Sequence, residues 1–170
     1  MIPPSIIFVA LVGGYLGTTI ILWIGHWFSH LSWSPLRGFH VGGHHALYPS
    51  GQHCLTERFS FGSGWHDSIY AFLPWLAIEA VAVWAILPWG IAMLTTAEAV
   101  ILIWLFSYVH EQFHVVSSRF VRSSLFLRAR DRHLLHHDCE INFAVFDHFW
   151  DRVFGTFVES PQATEHEGEK

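Results

Sequence analysis

The sequence predicts an all-α integral membrane protein with about three transmembrane helices and a cytoplasmic, histidine-rich helical cap, on three observations. The 170 residues are 52% hydrophobic and 16% aromatic, with a mean hydropathy of +0.34, too apolar and too poor in charge for an ordinary water-soluble domain. Three stretches, 6–24, 69–87 and 91–108, approach the ~20 residues that ~30 Å of hydrocarbon requires. Ten of the fourteen histidines fall into four clusters that border apolar or amphipathic stretches: His26/His30, His40/His44/His45, His110/His114 and His133/His136/His137.

The first span begins near residue 6 and runs directly into the first histidine pair. It lacks a positive n-region and a small-residue cleavage site, so it reads as a retained helix and not a signal peptide. Only Pro88, Trp89 and Gly90 separate the second span from the third, and that connection permits nothing but an antiparallel hairpin. Residues 1–158 read as one domain and 159–170 as a polar, disordered tail that includes His166.

Topology follows from charge. All nine cations, Arg37, Arg58, Arg119, Arg122, Arg128, Arg130, Arg132, Arg152 and Lys170, lie in 25–68 or 109–170. The positive-inside rule puts those segments in the cytoplasm and the N-terminus outside, so every histidine cluster falls on one face. Trp23, Trp27, Trp65, Trp89 and Trp104 lie near span ends, where interfacial aromatics sit, and packing within the bundle explains some of them equally well. The net charge of −5 gives no basic footprint for nucleic acid. Cys54 and Cys139 are too few for a disulfide scaffold and read as reduced thiols.

Imidazole is a common neutral ligand of transition metals, and an i, i+4 or i, i+3, i+4 spacing puts rings on one helix face. Ten rings exceed the four of a zinc or the six of an octahedral iron, so the set predicts two metals. His26/His30 and His110/His114 each prolong a spanning helix by about one turn. Gly42 and Gly43 would let the backbone turn so that His40, His44 and His45 face inward, and Arg119 to Arg132 reads as a helix lying along the membrane interface that ends in the fourth cluster. His53, His66 and His148 fall outside the spacing and read as hydrogen-bonded structural histidines, with His148 in reserve as a ligand.

In order, HxxxH, HxxxHH, HxxxH and HxxHH, followed by Asn142-Phe143 and then Trp150-Asp151-Arg152-Val153-Phe154-Gly155-Thr156, the chain resembles the fatty acid hydroxylase and sterol desaturase superfamily of membrane di-iron oxygenases over roughly residues 20–157. The resemblance implies a transmembrane bundle with a cytoplasmic cap, two irons held by the ten box histidines, O2 as co-substrate, and hydroxylation or desaturation of a lipid such as a fatty acyl chain or sterol. Carotenoid hydroxylases are similar in box pattern, but the WDRxFGT ending favours the sterol and fatty acid branch. The implied location is a bacterial inner membrane or the endoplasmic reticulum. Family members usually carry four or more spans, and homo-oligomerisation would complete a smaller bundle. Ala144 stands where the family commonly has glycine.

Nothing in the chain is a flavin or nicotinamide fingerprint, so electrons come from a partner of cytochrome b5 or ferredoxin type docking near Arg119 to Arg132. Glu111, Asp138, Asn142, Asp147 and Asp151 are candidates to support the ligands by hydrogen bonding, Asn142 equally as a helix cap. Asp151 with Arg152 reads as an ion pair docking the last helix, which Gly155 ends. Glu79 and Glu98 are intramembrane carboxyls that share a proton, bond a neighbouring helix, or meet a polar group of the substrate. A metal transporter would line its spans with ligands, and only these two are there. A bis-histidine haem protein would place its rings within the bilayer.

Overall fold

The computed structural model describes residues 3–54, 68–145 and 147–160, and Arg58, Trp65, His66 and His166 lie outside them. Among the described residues the chain is all helical: α1 (Pro4–His30), α2 (Arg37–Phe39) running into a π-helix (His40–His45), α3 (Ser68–Ile86), α4 (Trp89–Phe113), a 3-10 turn (Arg119–Arg122), α5 (Ser124–Asp138) and α6 (Phe149–Phe154).

Pro4 opens α1, where its missing N–H costs nothing, and Pro88 caps α4 by accepting from the N–H groups of Ile91 and Ala92 at 2.9 Å. Between them α1 and α4 supply two helices long and apolar enough to cross a membrane, and Ala71–Ile86 is a shorter apolar helix. α3 and α4 form the antiparallel hairpin about Pro88, and α1 packs against both. Leu22, Phe72 and Ile103, one from each helix, form the bundle core. At 25 residues, α4 is ~37 Å long, more than the ~30 Å of a hydrocarbon core, and His110 lies in its last turn. Gly25 lets α1 and α3 approach closely: a Cβ there would lie 2.6 Å from Nε1 of Trp75.

A second core, Phe113, Phe126, Ala129 and Val145, joins the end of α4 to α5. Arg119 to Arg132 is not one interfacial helix. Ser118 and Ser123 each accept a hydrogen bond from the amide two or three residues on, so a 3-10 turn and α5 start separately, and Phe120 and Val121 pack on the second core.

The C-terminal segment is not confined to the end of the helical bundle. It runs back beside α1: Tyr15 contacts Asp147, Trp150 Nε1 donates to Thr19 Oγ1 at 3.0 Å, and Trp23 Nε1 donates to Asp151 at 2.8 Å while stacking on Phe154. Trp23 is therefore buried and not interfacial, whereas Trp27, Trp89 and Trp104 are exposed.

Candidate metal centre

All ten cluster histidines converge. One ring nitrogen from each of His26, His30, His40, His45 and His136 lies within 4.8 Å of the others, and the same holds for His44, His114, His133 and His137. His110 joins the second set through His44, together with Glu111. These buried groups could hold metal ions. Glu111, expected to support the ligands from behind, is itself placed to be one.

The division does not follow the four sequence clusters. His40 to His45 form a π-helix, whose i→i+5 repeat brings His40 and His45 together with their Nε2 atoms 3.2 Å apart. His44 is thereby turned to the second group, its Nε2 3.2 Å from that of His137. The glycines make no turn here; Gly42 and Gly43 continue the helix. α5 likewise divides its rings, His136 to the first group and His133 and His137 to the second.

Backbone carbonyls fix the tautomers. In the first group Nδ1 of His26 donates to the carbonyl of Phe143 at 2.5 Å and Nδ1 of His136 to that of Ile141 at 2.6 Å. In the second, Nδ1 of His114 donates to the carbonyl of His53 at 2.6 Å and Nδ1 of His137 to that of Tyr48 at 2.9 Å. Each of these rings must then present a bare Nε2 lone pair. The Nε2 atom of His133 lies 2.9 Å from that of His114 and 3.1 Å from that of His137. Among the described residues, the Nε2 atoms of His26 and His136 are buried without a hydrogen-bond partner, as are both nitrogens of His30 and His110, with Glu140 3.6 Å from Nδ1 of His30.

A contact between two Nε2 atoms at such distances is relieved either by an Nε2–H from a ring whose tautomer no carbonyl fixes, as in His133 or His44, or by a cation between the two nitrogens. Ligands ~2.1 Å from one ion and at right angles are ~3.0 Å apart, so the spacing fits a shared metal. Burial first, then the neighbouring rings, holds His40, His44, His133 and His136 well below the ordinary imidazole range. His137 is pushed down to about 4, burial again leading. Neutral rings are the ligand form.

Aromatic side chains wall the centre. Tyr48 stacks on His114 at 3.8 Å, and Phe143 lies edge-on to His26, His30 and His136.

Asn142 is neither a helix cap nor a contact of the rings. It sits in the left-handed region (φ 53°), where Asn is favoured over bulkier residues, and its side chain exchanges hydrogen bonds with the N–H and carbonyl of Val158 at 2.8 and 2.9 Å. That staple sets its two neighbours, Ile141 and Phe143, whose carbonyls hold His136 and His26. Asp151 does not pair with Arg152, which lies over the Phe157 ring at 3.9 Å. Its fully buried carboxylate instead accepts from the N–H groups of Phe143 and Ala144, Trp23 Nε1, Thr156 Oγ1 and His148. Burial would raise its pKa, but these donors outweigh it and hold the carboxyl at about 2.

His148 is engaged with Asp151 and belongs to neither ring group, and His53 pairs with Asp138 at 2.9 Å. Cys54 and Cys139 are free thiols outside both groups. Gly155, at φ 73°, ends α6 as expected. No family of known proteins, no curated protein and no solved structure matches this chain.

Proposed function

We propose that the chain is a membrane-bound, O2-dependent di-iron oxidoreductase that hydroxylates or desaturates a lipid, as the resemblance of its histidine boxes to the fatty acid hydroxylase and sterol desaturase superfamily implies. One observation carries the reading: ten histidines form two adjacent, buried groups of converging ring nitrogens joined through α5. In the proposed arrangement His26, His30, His40, His45 and His136 hold one iron, and His44, His110, His114, His133 and His137 hold the other. The three apolar helices all span, with the N-terminus outside and the rings on the cytoplasmic side of a bacterial inner membrane or the endoplasmic reticulum. Iron in such a site supplies the reduction of O2 and the breaking of an unactivated C–H bond, which no side chain performs alone.

The chain's own residues do the rest. Carbonyls 48, 53, 141 and 143 hold four rings in the ligand tautomer, and Asp151 and Asn142 fix two of those carbonyls. Phe143 and Tyr48 keep water from the rings. A lipid reaches the site from the bilayer with little of its length crossing water. Arg119 and Arg122 are exposed and suit an acidic electron donor of cytochrome b5 or ferredoxin type.

The test is metal content of the purified full chain, beside a His136→Ala/His137→Ala variant that removes one ligand from each group. The expected result is about two irons per chain, lost in the variant, because each group gives up one of its ligands. Folded native protein without a bound transition metal overturns the reading.

A further inference from the structure

Away from the rings, beside Gly13 to Thr18 of α1, the helices carry two carboxyl groups. No Lys, Arg or His occurs in 4–25 or 68–109, so neither has a counter-cation within the spans. Glu79 of α3 is 6% exposed, and its Oε1 accepts from Thr18 Oγ1 at 2.7 Å. Its Oε2 is buried with no hydrogen-bond partner among the described residues, and the same is true of Oε2 of Glu98 on α4. Room for both comes from glycine: a Cβ at Gly14 would collide with the Glu98 carboxyl, and one at Gly17 would touch Glu79 at 4.0 Å.

Glu79 lines a groove of about 520 Å3 between α1, α3 and the start of α4. Its walls include Ile6, Val9, Gly13, Ala82, Leu87 and Ile91, and Glu79 is the lining residue of α3 farthest from the Pro88 turn. The other polar side chain there, Thr95, has its hydroxyl bonded back to the Ile91 carbonyl at 3.0 Å. An apolar groove of this size with one convergent polar group has the build of a ligand site. Thr18 precedes His26 by eight residues, ~12 Å along α1, so this is a place distinct from the rings.

We propose that the groove binds a long-chain alcohol, with the hydroxyl at Glu79 and the chain lying toward the Pro88 turn. A buried carboxyl oxygen without a partner costs free energy that a ligand group recovers. A hydroxyl both donates and accepts, so it satisfies Glu79 Oε2 whether or not the carboxyl carries its proton. An anionic headgroup would meet the Glu79 carboxyl and no cation. An ammonium group would carry its own dehydration cost deep into hydrocarbon. The inference does not rest on the metal reading, because binding is read with or without iron.

The test uses the full chain in phosphatidylcholine nanodiscs, before and after chelation, and a hexadecanol probe with a diazirine on its chain. Labelling is expected on the α1 and α3 walls of the groove, blocked by hexadecanol at about tenfold lower concentration than by hexadecane or hexadecanoic acid, the factor for one hydrogen bond to a buried group. Glu79→Leu should weaken binding by about tenfold, and Glu79→Gln, which keeps a donor and an acceptor, should restore most of it. Equal competition by hexadecane overturns the role of the carboxyl, strongest competition by hexadecylamine overturns the hydroxyl chemistry, and labelling elsewhere overturns the site. Should Glu79→Leu fail to fold, the competition series on the native chain decides alone.

Discussion

His26 and His136 hang from carbonyls near the C-terminal end of the described chain, while His114 and His137 hang from carbonyls in the segment 46–54, and the two supports are built differently. The first is a buried network: Asn142 and Asp151, both fully buried, tie residues 141–144 to Trp23, Thr156 and Val158. The second is looser. Its contacts include His53 and Ser50 with Asp138, whose side chain is 37% exposed, Cys54 with Arg130 Nη2 at 2.8 Å and the Phe113 carbonyl at 3.6 Å, and the N–H of Tyr48 donating to the His44 carbonyl at 3.1 Å. Two groups that share α5 thus depend on separate scaffolds, and each scaffold can be damaged without the other. In a centre so built, ligand identity sets what binds, and the scaffold sets which half is lost first.

Acid is the largest perturbation, and it should erase the difference. His40, His44, His45, His114, His133, His136 and His137 are all lowered by burial first, across both groups. A base whose folded pKa lies below its unfolded value binds fewer protons when folded. Its contribution is therefore complete above the unfolded value of 6.5 and is lost as pH falls from there toward the folded values, about 4 for His137. Metal-free protein should lose thermal stability steadily from about pH 7 to about pH 5, by up to ~1.4 kcal/mol per unit for each ring. A flat profile over that range would mean that the rings are not buried neutral.

Asp151→Ala should come next, at about 3–5 kcal/mol, because it strips several buried donors of their acceptor. Its selectivity matters more than its size. Metal should fall toward about one per chain, the second group keeping its ion, since only carbonyl 143 and its neighbours lose their support. Elemental analysis with denaturant unfolding reads both quantities; equal loss from both groups would end the idea of separate scaffolds.

Asn142→Ala should cost about 1–3 kcal/mol, from the staple to Val158 and from placing alanine at φ 53°. Asn142→Gly relieves the backbone part alone. If metal loss from the first group persists in the glycine variant, the side-chain staple and not the strain positions carbonyls 141 and 143.

The sequence made the candidate ligands legible as a set, because their helical spacing beside apolar stretches marks the histidines that the fold gathers. Their partition was not legible. Spacing alone treats His40, His44 and His45 as one cluster, and only the π-helix sends His44 the other way. The supporting carbonyls left no trace, since every residue carries one and Tyr48, His53, Ile141 and Phe143 are chosen by where the chain passes. Asp151 was visible but misread, because adjacency to Arg152 suggested a pair where burial selected a hub. In the fold, the Pro88 hairpin and Gly155 stop were written in turn chemistry. The break before α5 was written too, in Ser118 and Ser123, but amphipathic spacing across 119–132 masked it.

The smallest effect tests the looser side. Asp138 lies on the last turn of α5, and its carboxylate is 37% exposed at the bond to His53, so Asp138→Ala should cost only about 0.2–1 kcal/mol of stability. The bond nonetheless holds the residue whose carbonyl orients His114. Loosening it lets that ring turn, and metal in the second group should bind more weakly, by about tenfold, at the low end of what loss of a supporting partner does, while the first group stays loaded. A chelator titration that follows the release of each ion separates the two. Biphasic release in Asp138→Ala, with the early phase removed by His114→Ala, is the expected result. Single-phase release at the native concentration would mean that the backbone of 46–54 holds carbonyl 53 without help, and that the second scaffold is as firm as the first.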